Sequence, residues 1–127
     1  MILNLTELSD EPLHAQMSRQ IRAKILSADL TDGAALPSIR NLARQQRVSV
    51  ITVLRAYYDL EREGLVKDRR GNCFWVAPVP NKKKQKIAEE RFADALATLV
   101  ANAAAEGLSP AEMQRTLDSL LKKGGAR

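Results

Sequence analysis

Two short apolar-periodic segments, each opened by a serine and parted by a break of about three residues, constrain this chain more than any other feature. Leu36-Pro37-Ser38 opens the first, and Val48-Ser49 opens the second, which stops at Gly64. Serine accepts a hydrogen bond from the free N–H groups of a helix start, and glycine tolerates the left-handed geometry just past a helix end. The grammar is that of a helix-turn-helix. The same stretch, from Gly33 to Tyr58, holds no acidic side chain but does hold Arg40, Arg44, Arg47 and Arg55. A surface of that charge suits phosphate, so the pattern points to DNA recognition.

The helical period then assigns faces. In the first segment Ile39, Leu42 and Ala43 point inward, which turns Arg40, Asn41 and Arg44 toward solvent or a ligand. In the second, at about 100° per residue from Val53, the side chains of Ala56, Tyr57 and Leu60 gather on one face. Ile51, Arg55, Tyr58 and Arg62 fall on the other. Upstream, Ser9 or Asp10 is expected to cap an earlier helix with Pro12 in its opening turn. Leu13, Met17, Ile21 and Ile25 form its buried stripe, and the helix is expected to reach about Ala28. Downstream, Leu65-Val66-Lys67 and Phe74-Trp75-Val76 are β-prone runs around Asp68-Arg69-Arg70-Gly71-Asn72, a hairpin with a basic tip. A hairpin directly after a helix-turn-helix is a wing.

Pro78 and Pro80 interrupt regular structure, and Asn81-Lys82-Lys83-Lys84 begins a stretch of different composition, which sets the expected domains at 1–78 and 79–127. Beyond it Phe92, Leu96, Leu99 and Ala103 repeat at heptad-like spacing, and Glu106-Gly107-Leu108 breaks the helix. Ser109-Pro110-Ala111-Glu112 has the form of a capping box, followed by Met113, Leu117, Leu120 and Leu121 on one face. Two helices of this length do not close a core alone, so their apolar faces are expected to meet a second copy through Phe92, Leu96, Leu99, Met113, Leu117 and Leu120. The expected fold is mainly α: three helices plus a β-hairpin wing, followed by two C-terminal dimerisation helices.

Composition narrows the chemistry. A net charge of +5 over 127 residues, with a pI near 9.7, favours an anionic partner. No apolar run nears the roughly 20 residues of a spanning helix, and Met1 to Glu7 lacks the pattern of a signal peptide, so no membrane role and a cytoplasmic location are expected. Cys73 is the lone cysteine, and with His14 it makes no metal set at useful spacing. No catalytic motif and no cofactor-binding motif is present, and His14 is read as lying on the outer face of the first helix.

The stretch from Pro12 to Val76 resembles the N-terminal winged-helix domain of the GntR family of bacterial transcriptional regulators. Pro12-Leu13 with Gln16, Ile21 and Ile25 carries the resemblance, as do Leu36-Pro37-Ser38-Ile39-Arg40-Asn41-Leu42-Ala43, Val48-Ser49, Thr52-Val53, Ala56-Tyr57 and Leu60-Glu61-Arg62-Glu63-Gly64-Leu65. Ala56-Tyr57 and the stretch Glu106 to Glu112 look like the YtrA subfamily, in which two short dimerising helices replace a large effector domain. The resemblance implies DNA contacts from Ser38, Arg40, Ser49 and Thr52, with Gly71 at the wing tip, and control of a nearby operon. Two departures stand out. Many members carry Arg where this chain has Val50, which implies fewer polar base contacts, and many carry Gly-x-Gly-Thr in the wing where this chain has Gly71-Asn72-Cys73-Phe74.

The expected DNA-binding set is therefore Ser38, Arg40, Arg44, Ser49, Val50, Ile51, Thr52, Arg55, Tyr58, Arg70, Gly71 and Asn72. Ile51 is suited to a thymine methyl. Cys73, Phe74 and Trp75 are expected to pack the wing onto the helices, and Lys82-Lys83-Lys84 is read either as a solvated linker or as a contact to flanking phosphates. The chain reads as a homodimeric repressor of a palindromic double-stranded operator, the alternative being a winged-helix module for protein–protein interaction. A small-molecule effector is compatible with this class, and no residue identifies one.

Overall fold

A computed structural model describes residues 1–71 and 73–124 and divides into two compact units, Met1–Gln85 and Lys86–Arg127. The elements run α1 Leu13–Leu26, α2 Ile39–Gln46, α3 Val50–Arg62, β1 Val66–Asp68, β2 Phe74–Val76, α4 Asn81–Ala105 and α5 Pro110–Gly124. This is the mainly helical winged architecture expected.

The core of the first unit follows from two stripes. Met17, Ile21 and Ile25 of α1 meet Val53, Ala56, Tyr57 and Leu60 of α3, all fully buried, and Leu42 of α2 joins them. Burial on this scale, about 1.5–3 kcal/mol for each large apolar side chain, holds the three helices together. Tyr57 also links two elements, its hydroxyl donating to the Pro37 carbonyl at 2.7 Å and its ring meeting Phe74 edge-on at 4.9 Å. The segment leading into α2 and the wing are thus fixed to the same helix.

The wing is a two-stranded antiparallel hairpin in the register Val66↔Val76, Lys67↔Trp75 and Asp68↔Phe74. Its second strand also takes up the chain before α2, through an Ala35↔Trp75 bridge, Gly33 N–H to Val76 O at 2.8 Å and Leu36 N–H to Phe74 O at 3.0 Å. Phe74 and Val76 are buried, and Trp75 is half-buried. Cys73 is exposed, contrary to expectation. Side chains alternate along a strand, so inward Phe74 and Val76 turn the odd positions outward.

Four further expectations are corrected. Neither Ser9 nor Asp10 caps α1; the N-cap is Pro12, with no side-chain cap, and Ser9 Oγ instead accepts from Glu11 N–H at 3.1 Å. The helix stops at Leu26, with Ala28 already left-handed at φ 64°. His14 is not on an outer face: it lies in the α1–α3 seam, 24% exposed, with Nδ1 at 3.8 Å from Asp59 Oδ2. On the same helical row Ser18 and Arg22 are buried, and Arg22 forms a forked pair with Glu63 at 2.6 and 2.7 Å. The lysine run is no solvated linker. It is the opening of α4, and Lys84, its side chain only 5% exposed, pairs with Asp32 Oδ1 at 3.1 Å.

In the second unit α4 ends before Gly107, whose φ of 92° reverses the chain without a Cβ penalty. The capping box at α5 is complete: Ser109 Oγ accepts from Glu112 N–H at 3.2 Å, and Glu112 Oε1 accepts from Ser109 N–H at 2.9 Å. The Ser109 backbone N–H, and after it the Ser109 hydroxyl, stabilise the ionised form and hold the Glu112 carboxyl below its ordinary pKa.

Candidate nucleic-acid interface

The two serine caps place the free N–H ends of α2 and α3 in one region of the surface. Ser38 Oγ accepts from Asn41 N–H at 3.1 Å, and Ser49 Oγ accepts from Thr52 N–H at 3.1 Å. Each cap leaves other first-turn N–H groups and the positive end of the helix dipole for an anion. Between the helices the turn is made by Arg47, left-handed at φ 55°, with Val48 N–H reaching back to Ala43 O at 3.0 Å. A non-glycine residue held there costs about 1–2 kcal/mol, so the fold retains a guanidinium at a position where glycine is cheaper.

Ion pairing separates the arginines of this face from the other helical arginines of the unit. Arg19 pairs with Glu11, Arg22 with Glu63 and Arg62 with Asp59. Among the described residues Arg40, Arg44, Arg47 and Arg55 form no ion pair, and all four are exposed. Arg44 touches only Asn41 Oδ1, at 3.5 Å. Four guanidinium groups without carboxylate partners, on α2, at its C-cap and on α3, make a surface for phosphate oxygens.

The exposed start of α3 carries less polarity than its surroundings. Val50, Ile51 and Tyr58 are exposed, while Thr52 is half-buried with its Oγ1 at 2.8 Å from Ser49 Oγ. Ser38, Ile39, Arg40, Val50 and Leu54 line a single cleft between the start of α2 and α3. Leu54 was not in the expected set, although its spacing four residues after Val50 gives the signal. Tyr58 also approaches Phe74, with ring centroids 6.0 Å apart, so it belongs partly to the wing contact.

At the wing, Arg70 and Gly71 are exposed, with Gly71 at φ 44°. Asn72, expected here, lies outside the described residues. Arg69 was missed: its guanidinium carbon lies 4.6 Å over the Trp75 ring, and its N–H closes the hairpin on Cys73 O at 2.9 Å. In the second unit Leu96, Leu99, Met113, Leu117 and Leu120 line one open apolar groove. Phe92, 57% exposed, is not among its lining residues. No cluster of metal-ligating side chains occurs among the described residues, and no helix is long and apolar enough to cross a membrane.

This geometry defines a winged helix-turn-helix DNA-binding domain. Residues 13–76 match the family described as "Bacterial regulatory proteins, gntR family", and the chain belongs to that family of DNA-binding transcriptional regulators. It is 33% identical over 85 residues to the uncharacterized HTH-type transcriptional regulator YhcF of Bacillus subtilis, covering 65% of this chain and 70% of that one. With the HTH-type transcriptional repressor YtrA of the same organism it shares 30% identity over 76 residues, 60% of this chain and 58% of that one. Among solved structures, a transcriptional antiterminator from Listeria monocytogenes EGD-e has the same fold over 94% of this chain and 90% of its own, at TM-score 0.74 and 24% identity. AraR(DBD), solved in complex with operator ORX1, matches at TM-score 0.52 and 28% identity over 61% of this chain and 95% of its own.

Proposed function

We propose that the protein is a homodimeric repressor that binds a palindromic operator on double-stranded DNA in the cytoplasm. In this reading α3 enters the major groove, the wing follows the adjacent backbone or minor groove, and α4 and α5 join two copies. Residues 1–78 then serve recognition and 79–127 assembly. The observation that carries the reading is the set of four exposed arginines without ion pairs, on α2, at its C-cap and on α3, beside the serine-capped starts of both helices. For assembly the support is the apolar groove of the second unit, where Leu99 and Leu120 remain about 60% exposed in a single chain. YtrA is named a repressor, which supports the sign of regulation.

Salt titration tests the reading. Binding to operator and random duplex is expected to weaken steeply with salt, and Arg40→Ala to lower both affinities alike while reducing the salt slope by about one unit. A loss confined to sequence preference would remove Arg40 from phosphate contact. Binding to a protein partner without salt dependence, and none to duplex, would replace the reading with an interaction module.

A further inference from the structure

The opening turns of α3 offer carbon where a groove-reading helix commonly offers polar atoms. Val50 is 48% exposed and Ile51 65%, while Leu54, half-buried one turn on, shares a cleft with Val50 beside Ser38 and Arg40. Single exposed aliphatic residues are ordinary on any surface. These are contiguous, and they lie within a stretch that has no carboxylate from Gly33 to Tyr58. Charge complementarity commits the face to a polyanion, so its carbon surface must meet whatever apolar group a polyanion projects there. In the major groove that group is the 5-methyl of thymine. The neighbouring hydroxyls are engaged, Ser49 Oγ and Thr52 Oγ1 lying 2.8 Å apart and Ser38 Oγ accepting from Asn41 N–H at 3.1 Å.

We propose that Val50, Ile51 and Leu54 form an apolar reading surface for thymine methyl groups, so that the operator half-site is thymine-rich where α3 enters. The inference rests on α3 being the groove helix and names the base chemistry it selects. Cytosine presents only C–H and an amino group at the same edge, so it loses the methyl contact and gains no partner on this surface.

The test starts from duplexes that the full-length chain selects out of a randomised library. Each selected duplex is resynthesised with deoxyuridine replacing thymidine one position at a time, which removes the methyl and leaves base pairing intact. Affinity is expected to fall about fourfold for each methyl that meets the surface, the factor for one buried methyl-sized group. Ile51→Ala and Val50→Ala, both at exposed positions, are expected to weaken binding to the thymine duplex more than binding to the uracil duplex, so that the uracil penalty shrinks. Equal affinity for thymine and uracil at every position would overturn the apolar readout, as would a uracil penalty undiminished in both variants; the groove assignment would survive either result. A library from which no sequence is enriched would overturn the groove assignment itself, and the inference with it.

Discussion

At the scale of single residues, Arg47 sets local stability against recognition. Its left-handed backbone, φ 55°, is a conformation that glycine adopts without a Cβ penalty. Arg47→Gly is expected to raise stability by about 1 kcal/mol, the relieved strain less the added freedom of the unfolded chain, while weakening DNA binding through one lost guanidinium. Urea denaturation beside a duplex titration would show the two changes in opposite directions. Tyr57 gives a pH signature. Burial raises its phenol above the ordinary tyrosine pKa, so the folded chain keeps a proton that the unfolded chain releases. The stabilisation is complete below about pH 10 and declines as pH rises beyond it. Tyr57→Phe is expected to cost about 1 kcal/mol at neutral pH, through the orphaned Pro37 carbonyl, and to flatten the alkaline decline. Denaturation curves between pH 7 and pH 11 read both effects.

At the scale of elements, the starts of α2, α3 and α5 were legible because each is opened by a serine that the structure shows accepting a bond from the first turn. The start of α1 was not, since proline supplies its cap position without any side-chain bond to announce it. His14 was misplaced for a related reason. Helix α1 is buried along two rows, and the second, through Ser18 and Arg22, is polar, so apolar spacing cannot reveal it. Cys73 could have been placed by strand alternation from Phe74 and Val76. Lys84 could not: nothing within a run of lysines marks the one that faces inward, and only the folding of α4 against the Asp32 turn selects it. That pair is unequal, Lys84 being 5% exposed and Asp32 47%. Asp32→Ala strands a buried ammonium and is expected to cost about 2 kcal/mol, whereas Lys84→Met, which removes the charge and fills the same space, is expected to cost less than about 1 kcal/mol. Equal losses in urea denaturation of the two variants would mean that packing, not charge, holds the opening of α4.

At the scale of the whole molecule, the two units differ in what they bury. The first closes a core of its own around Tyr57, Met17 and Leu42, while α5 has no buried residue and α4 buries only Lys84. A chain ending at Gln85 retains that lysine and is expected to fold as a monomer with much weaker operator binding, since two tethered half-site contacts act at high effective concentration. Sedimentation of this chain beside the full one decides it; a truncated dimer of full strength would move the interface into the first unit and leave the groove of the second without a role. The serine caps and the exposed arginines of the proposed DNA face were legible because they lie close together in sequence. The Arg69–Trp75 stack was not, because it joins the residue just past β1 to β2 across the hairpin.

The position of Trp75 has one more consequence. It is the only tryptophan in the chain, it sits on the wing, and a guanidinium lies over its ring. The indole emission of the unlabelled protein therefore comes from a single site next to the proposed DNA contact. A duplex phosphate that draws Arg69 off the ring alters that emission, so wing docking can be timed in a stopped-flow fluorimeter separately from the entry of α3, which has tyrosines but no indole.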